Sequence, residues 1–163
     1  MGLHDIGDDV GDYDGLSRTA LDYSLVTKRL VDSAKQPGFS VDSWGPLAEL
    51  VAVEEFERVG PFKEVMDWSS SVAFLTNWAT SSDWEGSFKR VTEISGLVFL
   101  ELEERSKVGE YSSVVDSLSV FEFDGTGRIR HIAVYLQMTL PEQGLLEGYD
   151  GVDITEQALP AHE

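Results

Sequence analysis

The sequence predicts an α+β fold, with helices first and a meandering antiparallel sheet afterwards. Three observations predict it. Apolar residues recur at helical spacing in two stretches before residue 80. The later runs "SFKRVTEI", "LVFLELEERS", "YSSVVDSLSVFEF" and "RIRHIAVYLQMTL" are rich in Val, Ile, Phe and Tyr and partly alternate, as strands do. Between them stand the turn signals "SG" and "DGTG", whose glycines tolerate positive φ. Helices and strands segregated along the chain make an α+β architecture.

In the segment 16–35, Ala20, Tyr23, Thr27, Leu30 and Ala34 fall on one helical stripe. Asp14 or Ser17 can cap its start, and Pro37-Gly38 ends it. "VDSWGPLAELVA", 41–52, reads as a short second helix capped by Asp42 or Ser43. "EEFERVGP" reads as a short strand broken by Gly60-Pro61. From Phe62 to Ala79, the residues Val65, Trp68, Val72, Leu75 and Ala79 recur at helical spacing, with Ser69-Ser70-Ser71 weakening the pattern locally.

The 163 residues suit one domain, and 42% hydrophobic with 26% charged residues is a globular composition. There are no cysteines, so there is no disulfide framework, thiolate nucleophile or zinc–thiolate site. No run approaches the length of a transmembrane helix, and "MGLHDIGDD" lacks the basic and apolar regions of a signal peptide, so a cytoplasmic location is expected. The formal net charge of −18 repels phosphate backbones and anionic membranes, which makes nucleic acid and membrane surfaces poor partners. Much of that charge lies in 1–15 and 141–163, both expected to be flexible acidic tails flanking a domain over 16–140.

No common catalytic or cofactor motif is complete. "DYDG" has Val10 and Leu21 where a calcium loop needs acids. "GTGR" joins two strands instead of opening a helix, so it is a turn and no nucleotide cofactor is expected. There is no G-x-S-x-G elbow, and with His4 and His162 in the tails only His131 remains, which disfavours a Ser-His-Asp triad. His131 reads as an exposed or interface strand residue. Trp44, Trp68, Trp78 and Trp84 read as core or interface aromatics, the alternative being a stack on a flat ligand.

The element order, together with "DSWGPLAELVA", "ISGLVFLELEE" and "FEFDGTGRIRHIAVYLQ", resembles the nuclear transport factor 2-like superfamily over about residues 16–140. That superfamily includes steroid Δ-isomerases, limonene-epoxide hydrolases and SnoaL-type polyketide cyclases. The resemblance implies a cone-shaped α+β roll of the cystatin-like type. In it a curved antiparallel sheet wraps N-terminal helices around a pocket, and its outer face commonly makes a homodimer. Such a fold hosts many chemistries and non-catalytic members, so it does not name a reaction.

Alternation then assigns faces. Ile132, Val134, Leu136 and Met138 point into the cone, as do Ser119, Phe121 and Phe123, and Val98, Leu100, Leu102 and Glu104. His131, Ala133, Tyr135, Gln137 and Glu122 point outward. Carried over position by position, the steroid-isomerase aspartate falls on Ser119, its tyrosine near Thr27 with Tyr23 one turn away, and its base near Val59 or Gly60. None is retained, and Glu55 or Glu57 could substitute only if the strand slipped. The epoxide-hydrolase triad falls on Val134, Glu104 and Leu102, or in a second register on Arg105 and Lys107, so at most one carboxylate survives.

The expected site is therefore an apolar pocket lined by Leu100, Leu102, Phe121, Ile132, Val134, Leu136, Met138 and Thr27. Any chemistry is expected to be cofactor-free proton transfer: isomerisation, cyclisation or dehydration. Glu104 would be the acid/base, with Ser119 and Tyr23 orienting a polycyclic or terpenoid-like ligand. Against this stand two alternatives: a strand-end Glu104 that reaches water or pairs with Arg105 or Lys107, and a closed cone serving as a protein-interaction subunit.

Overall fold

The computed structural model describes residues 2–138. It begins with β1 (His4–Asp5), α1 (Ile6–Asp9), a 3-10 turn (Val10–Asp12) and the long helix α2 (Gly15–Ser33). A second 3-10 turn (Val41–Trp44) runs into α3 (Gly45–Ala48), followed by β2 (Glu57–Val59), β3 (Val65–Met66) and α4 (Trp68–Ser81). Four long strands complete it: β4 (Asp83–Ile94), β5 (Leu97–Val108), β6 (Tyr111–Phe123) and β7 (Ile129–Met138). They form one seven-stranded sheet in the order β1-β4-β5-β6-β7-β2-β3. All neighbours are antiparallel except β2 and β7, which run parallel, so the sheet is mixed and not wholly antiparallel as expected.

The ladder β5–β6 is unbroken from Leu97↔Glu122 to Val108↔Tyr111. Ser95 and Gly96 close the β4–β5 hairpin, both at positive φ (52° and 76°), the geometry of a two-residue turn whose twist matches its strands. The β6–β7 turn is held by Asp124, whose carboxylate accepts from the Thr126 hydroxyl and from the backbone N–H groups of Thr126 and Arg128. These donors favour the ionised form and hold the Asp124 carboxyl below its ordinary range. Bulges lie at Phe88/Arg90 and at Glu122/Phe123, where sheets bend.

The core lies between the inner face of the sheet and the helices. Ala20, Leu21, Ser24, Thr27 and Val31 of α2 are buried, with Tyr23 and Leu30 beside them only partly so. The buried stripe is thus rotated by about one residue from the expected one. Trp44 is fully enclosed and donates to Thr76 Oγ1 at 2.9 Å, tying the 3-10 turn to α4.

Three expectations need correction. The segment from His4 to Asp12, expected as tail, is folded: His4 and Asp5 pair with Phe88 and Ser87, and Asp5 caps α1. Ile6 and Val10, four residues apart, are the two apolar side chains that bury it. The segment 41–52 is not one helix. Ser40 caps a 3-10 turn there, and Pro46, with no N–H to donate, restarts the chain as the single turn of α3. Val65 is not helical but pairs with Val59 across a tight turn, and Asp67 caps α4 by accepting from Ser70 N–H. The expected C-terminal tail lies outside the described residues.

Leu100 is fully buried on the inner face of β5. Leu100→Ala should lower stability by about 2–5 kcal/mol, read as a shift of the urea midpoint at constant slope.

Candidate functional site

The inner face is not packed shut. A cavity of ≈ 370 Å³ lies between sheet and helices. Strand alternation supplies its floor: Leu102 from β5, Val115, Ser119 and Phe121 from β6, and Ile132, Val134 and Leu136 from β7. Tyr23, Ser24 and Thr27 of α2 and Phe74, Leu75 and Trp78 of α4 cover it. Trp84 and Glu104 line it on the β4–β5 side, while Arg58, Pro61, Phe62 and Glu64 line it on the β2 side. Phe62 is 84% exposed, so this side meets solvent.

Glu104 is neither at large in solvent nor paired with its neighbours. Its Oε1 accepts from Trp84 Nε1 at 2.9 Å, and Trp84 stands edge-on to Trp78 with ring centroids 5.9 Å apart. Gly86, opposite Glu104 in the ladder, makes room for this indole: a Cβ there would meet Trp84 ring atoms at 3.1–3.2 Å. Arg105 sits on the other face, bonded to Glu103 at 2.8 Å and to Ser87 Oγ at 3.0 Å.

Tyr23 packs edge-on against Phe121 at 5.9 Å. Burial pushes its phenol up to about 12, with the nearby Arg58 charge acting in the opposite direction, so it stays a hydrogen-bond donor across the physiological range. Thr27 lines the cavity, but its hydroxyl donates to Tyr23 O at 2.7 Å within the helix. Ser119 lines it opposite Val134.

Of the residues expected to line the pocket, Leu102, Phe121, Ile132, Val134, Leu136 and Thr27 do so, together with Glu104, Ser119 and Tyr23. Leu100 and Met138 do not. Leu100 faces inward but is sealed in the core, and Met138, at the strand end, is 62% exposed. Glu57 gives no base here, since it lies on the outer face, its Oε1 3.3 Å from His131 Nε2. Glu55 is exposed. Sequence reasoning missed Arg58, Glu64 and Phe74 as lining residues, and it read Trp78 and Trp84 as core or interface aromatics, with a stack on a ligand as the alternative. The signal for Arg58 was its parity with buried Phe56 two residues earlier, which turns both to the inner face.

A second, more open depression of ≈ 560 Å³ lies among residues 45–55 with Asp124 and Arg128. Its charged lining is mostly carboxylate: Glu49, Glu54, Glu55 and Asp124. Among the described residues no group of His, Asp and Glu is placed to hold a metal ion.

No family model and no curated protein matches the chain. Solved structures do. A protein of unknown function from Exiguobacterium sp. 255-15, described as NTF2-like, superposes with a TM-score of 0.57 at 14% identity, covering 73% of this chain and 98% of that one. A candidate SnoaL-like polyketide cyclase from Jannaschia sp. CCS1 gives 0.55 at 14% identity over 91% and 98% of the two chains. An LEH-like epoxide hydrolase of M. tuberculosis gives 0.52 at 15% over 81% and 96%. The shared property at such identities is the fold: this chain is an α+β cone of the nuclear transport factor 2-like type.

The raised phenol has a consequence for stability. Tyr23 contributes equally at all pH values below about 10, its unfolded value, and folding favours its neutral form as pH climbs from there to about 12. Stability should therefore fall relative to Tyr23→Phe as pH rises from about 10 to about 12, and level off above that. An ultraviolet difference titration should show one tyrosine ionising last, missing from Tyr23→Phe.

Proposed function

We propose that this chain is a small-molecule pocket protein for an apolar ligand, with cofactor-free proton transfer as its chemistry. The cavity carries this reading. Its volume of ≈ 370 Å³ falls in the range of small-molecule sites, and its floor is an apolar wall with few polar groups. A compact polycyclic or terpenoid-like skeleton fits such a wall by shape and by the area it removes from water.

The polar groups divide the work. Glu104, held by the Trp84 indole, is the acid/base that takes or gives the proton. Tyr23, protonated by virtue of its burial, and Ser119 orient an oxygen of the ligand. Neither the steroid-isomerase triplet nor the epoxide-hydrolase triad is reproduced: Val134 and Leu102 bring only hydrocarbon to the cavity. The reading thus rests on this chain's own residues.

Binding is tested through Trp78 and Trp84, which line the cavity and should report an apolar guest by fluorescence. A neutral polycyclic probe should change the emission saturably, and Val134→Trp, which fills the floor, should abolish the response. An unresponsive wild-type protein would sink the pocket reading.

Catalysis is tested by deuterium exchange at the α-carbon of a bicyclic ketone such as 2-decalone. Wild-type protein should speed exchange, and Glu104→Gln should reduce that acceleration roughly a hundredfold or more. Undiminished exchange in the variant would remove Glu104 from the mechanism.

A further inference from the structure

Among the described residues, Arg58 is the one cation that lines the cavity. It stands in β2 beside Ile132 of β7, which in turn pairs with Phe121 of β6. Its guanidinium carbon lies 5.6 Å from the centre of the Phe74 ring, so the head group is laid against α4 and not extended into water. Among the described residues it forms no ion pair, and its Nη1 is buried without a hydrogen-bond partner. A guanidinium cannot escape this by losing its proton.

We infer that the ligand carries a single carboxylate, and that Arg58 is the group that receives it. The inference rests on the cavity reading above and names the ligand's class more closely. Arg58 as a whole is half-buried, but a guanidinium nitrogen shut off from water without a partner is costly, and an apolar guest alone leaves that cost in place or increases it. A carboxylate removes it, because its two oxygens match the N–H fork of the guanidinium.

The other charged groups on the cavity do not take that role. The Glu64 carboxylate is folded over Gly60, with Oε2 accepting from Phe62 N–H at 2.9 Å, so it is committed to its own turn. Glu104 stands opposite Val115 on β6, six residues along from the Phe121 that shares a row with Arg58, and is bonded to Trp84. Tyr23 beside Phe121 adds a neutral donor near the same end, and Arg58 is close enough to act on it. One cation with one phenol suits a monoanion. A phosphate ester or polyanion would bring more charge than the site can match, into a chain of net charge −18.

The experiment compares two probes with one apolar body: adamantane-1-carboxylate and adamantane-1-carboxamide, titrated calorimetrically into the full chain at neutral pH. Wild-type protein should bind the carboxylate roughly tenfold or more tightly than the amide, the difference expected of a charge-assisted pair. Arg58→Met, which keeps an unbranched apolar stem, should lose that preference while holding its affinity for the amide. Equal binding of both probes to wild type, or a preference that survives in Arg58→Met, overturns the inference and leaves the pocket standing. Failure of both probes to bind overturns the pocket reading and this inference with it. The wild-type comparison stands even if the variant does not fold.

Discussion

Everything in this molecule hangs on the register of three strands. The β5–β6 ladder runs unbroken, and β7 continues it from Val115↔Met138 to Glu122↔His131 before the bulge. With a side-chain period of two, a fixed register decides at once which residues of each strand meet the helices and which meet the outside. Leu102, Ser119 and Val134 share the cavity because of it, and His131 and Glu122 are sent to the opposite face. The Asp124 turn and the Ser95-Gly96 turn pin the ladder at the same end, so a slip would have to break one or the other.

The same ladder sets a tension between stability and use. A sheet that closed fully on α2 and α4 would gain the dispersion contacts that the open space forgoes. It would also have to draw the half-buried Arg58 and Glu104 fully into hydrocarbon. The observed compromise keeps Val98, Leu100 and Phe88 sealed and leaves the polar groups at the margins of an open volume. Each of these groups is positioned by an aromatic ring: Glu104 by Trp84, Tyr23 by Phe121 and Arg58 by Phe74. Planar, stiff neighbours fix polar heads at little entropic cost.

Much of this was legible in the sequence because alternation is a strong signal in long strands with tight turns. The inward set on β5, β6 and β7 follows from it directly. What alternation cannot convey is depth. Leu100 and Leu102 have the same parity, yet one is sealed and the other reaches the cavity, and Met138 has the parity of Leu136 but lies past the helices that would cover it. Arg58 was hidden differently: its strand has three residues, too few for alternation to be read without the buried Phe56 before it. The folded N-terminal segment was masked by its acids, since Ile6 and Val10 are two apolar residues in a run dominated by Asp and Gly. Their spacing of four was the physical clue, and composition outweighed it.

The ends of the sheet carry a last consequence. Its outermost strands, β1 and β3, are each two residues long. Beyond β1, the flank of β4 is kinked by the Phe88/Arg90 bulge and bears the charges of Lys89, Arg90 and Glu93. Long, flat, unpaired backbone is what lets one sheet recruit a strand from another molecule. Among the described residues, β3 offers two residues of edge, β1 covers Ser87 and Phe88 of β4, and the rest of that flank is interrupted by the bulge and its charges. The small N-terminal segment that looked like a loose tail thus acts as a short hem, stitched over Ser87 and Phe88 where the fabric's edge would otherwise invite further weaving.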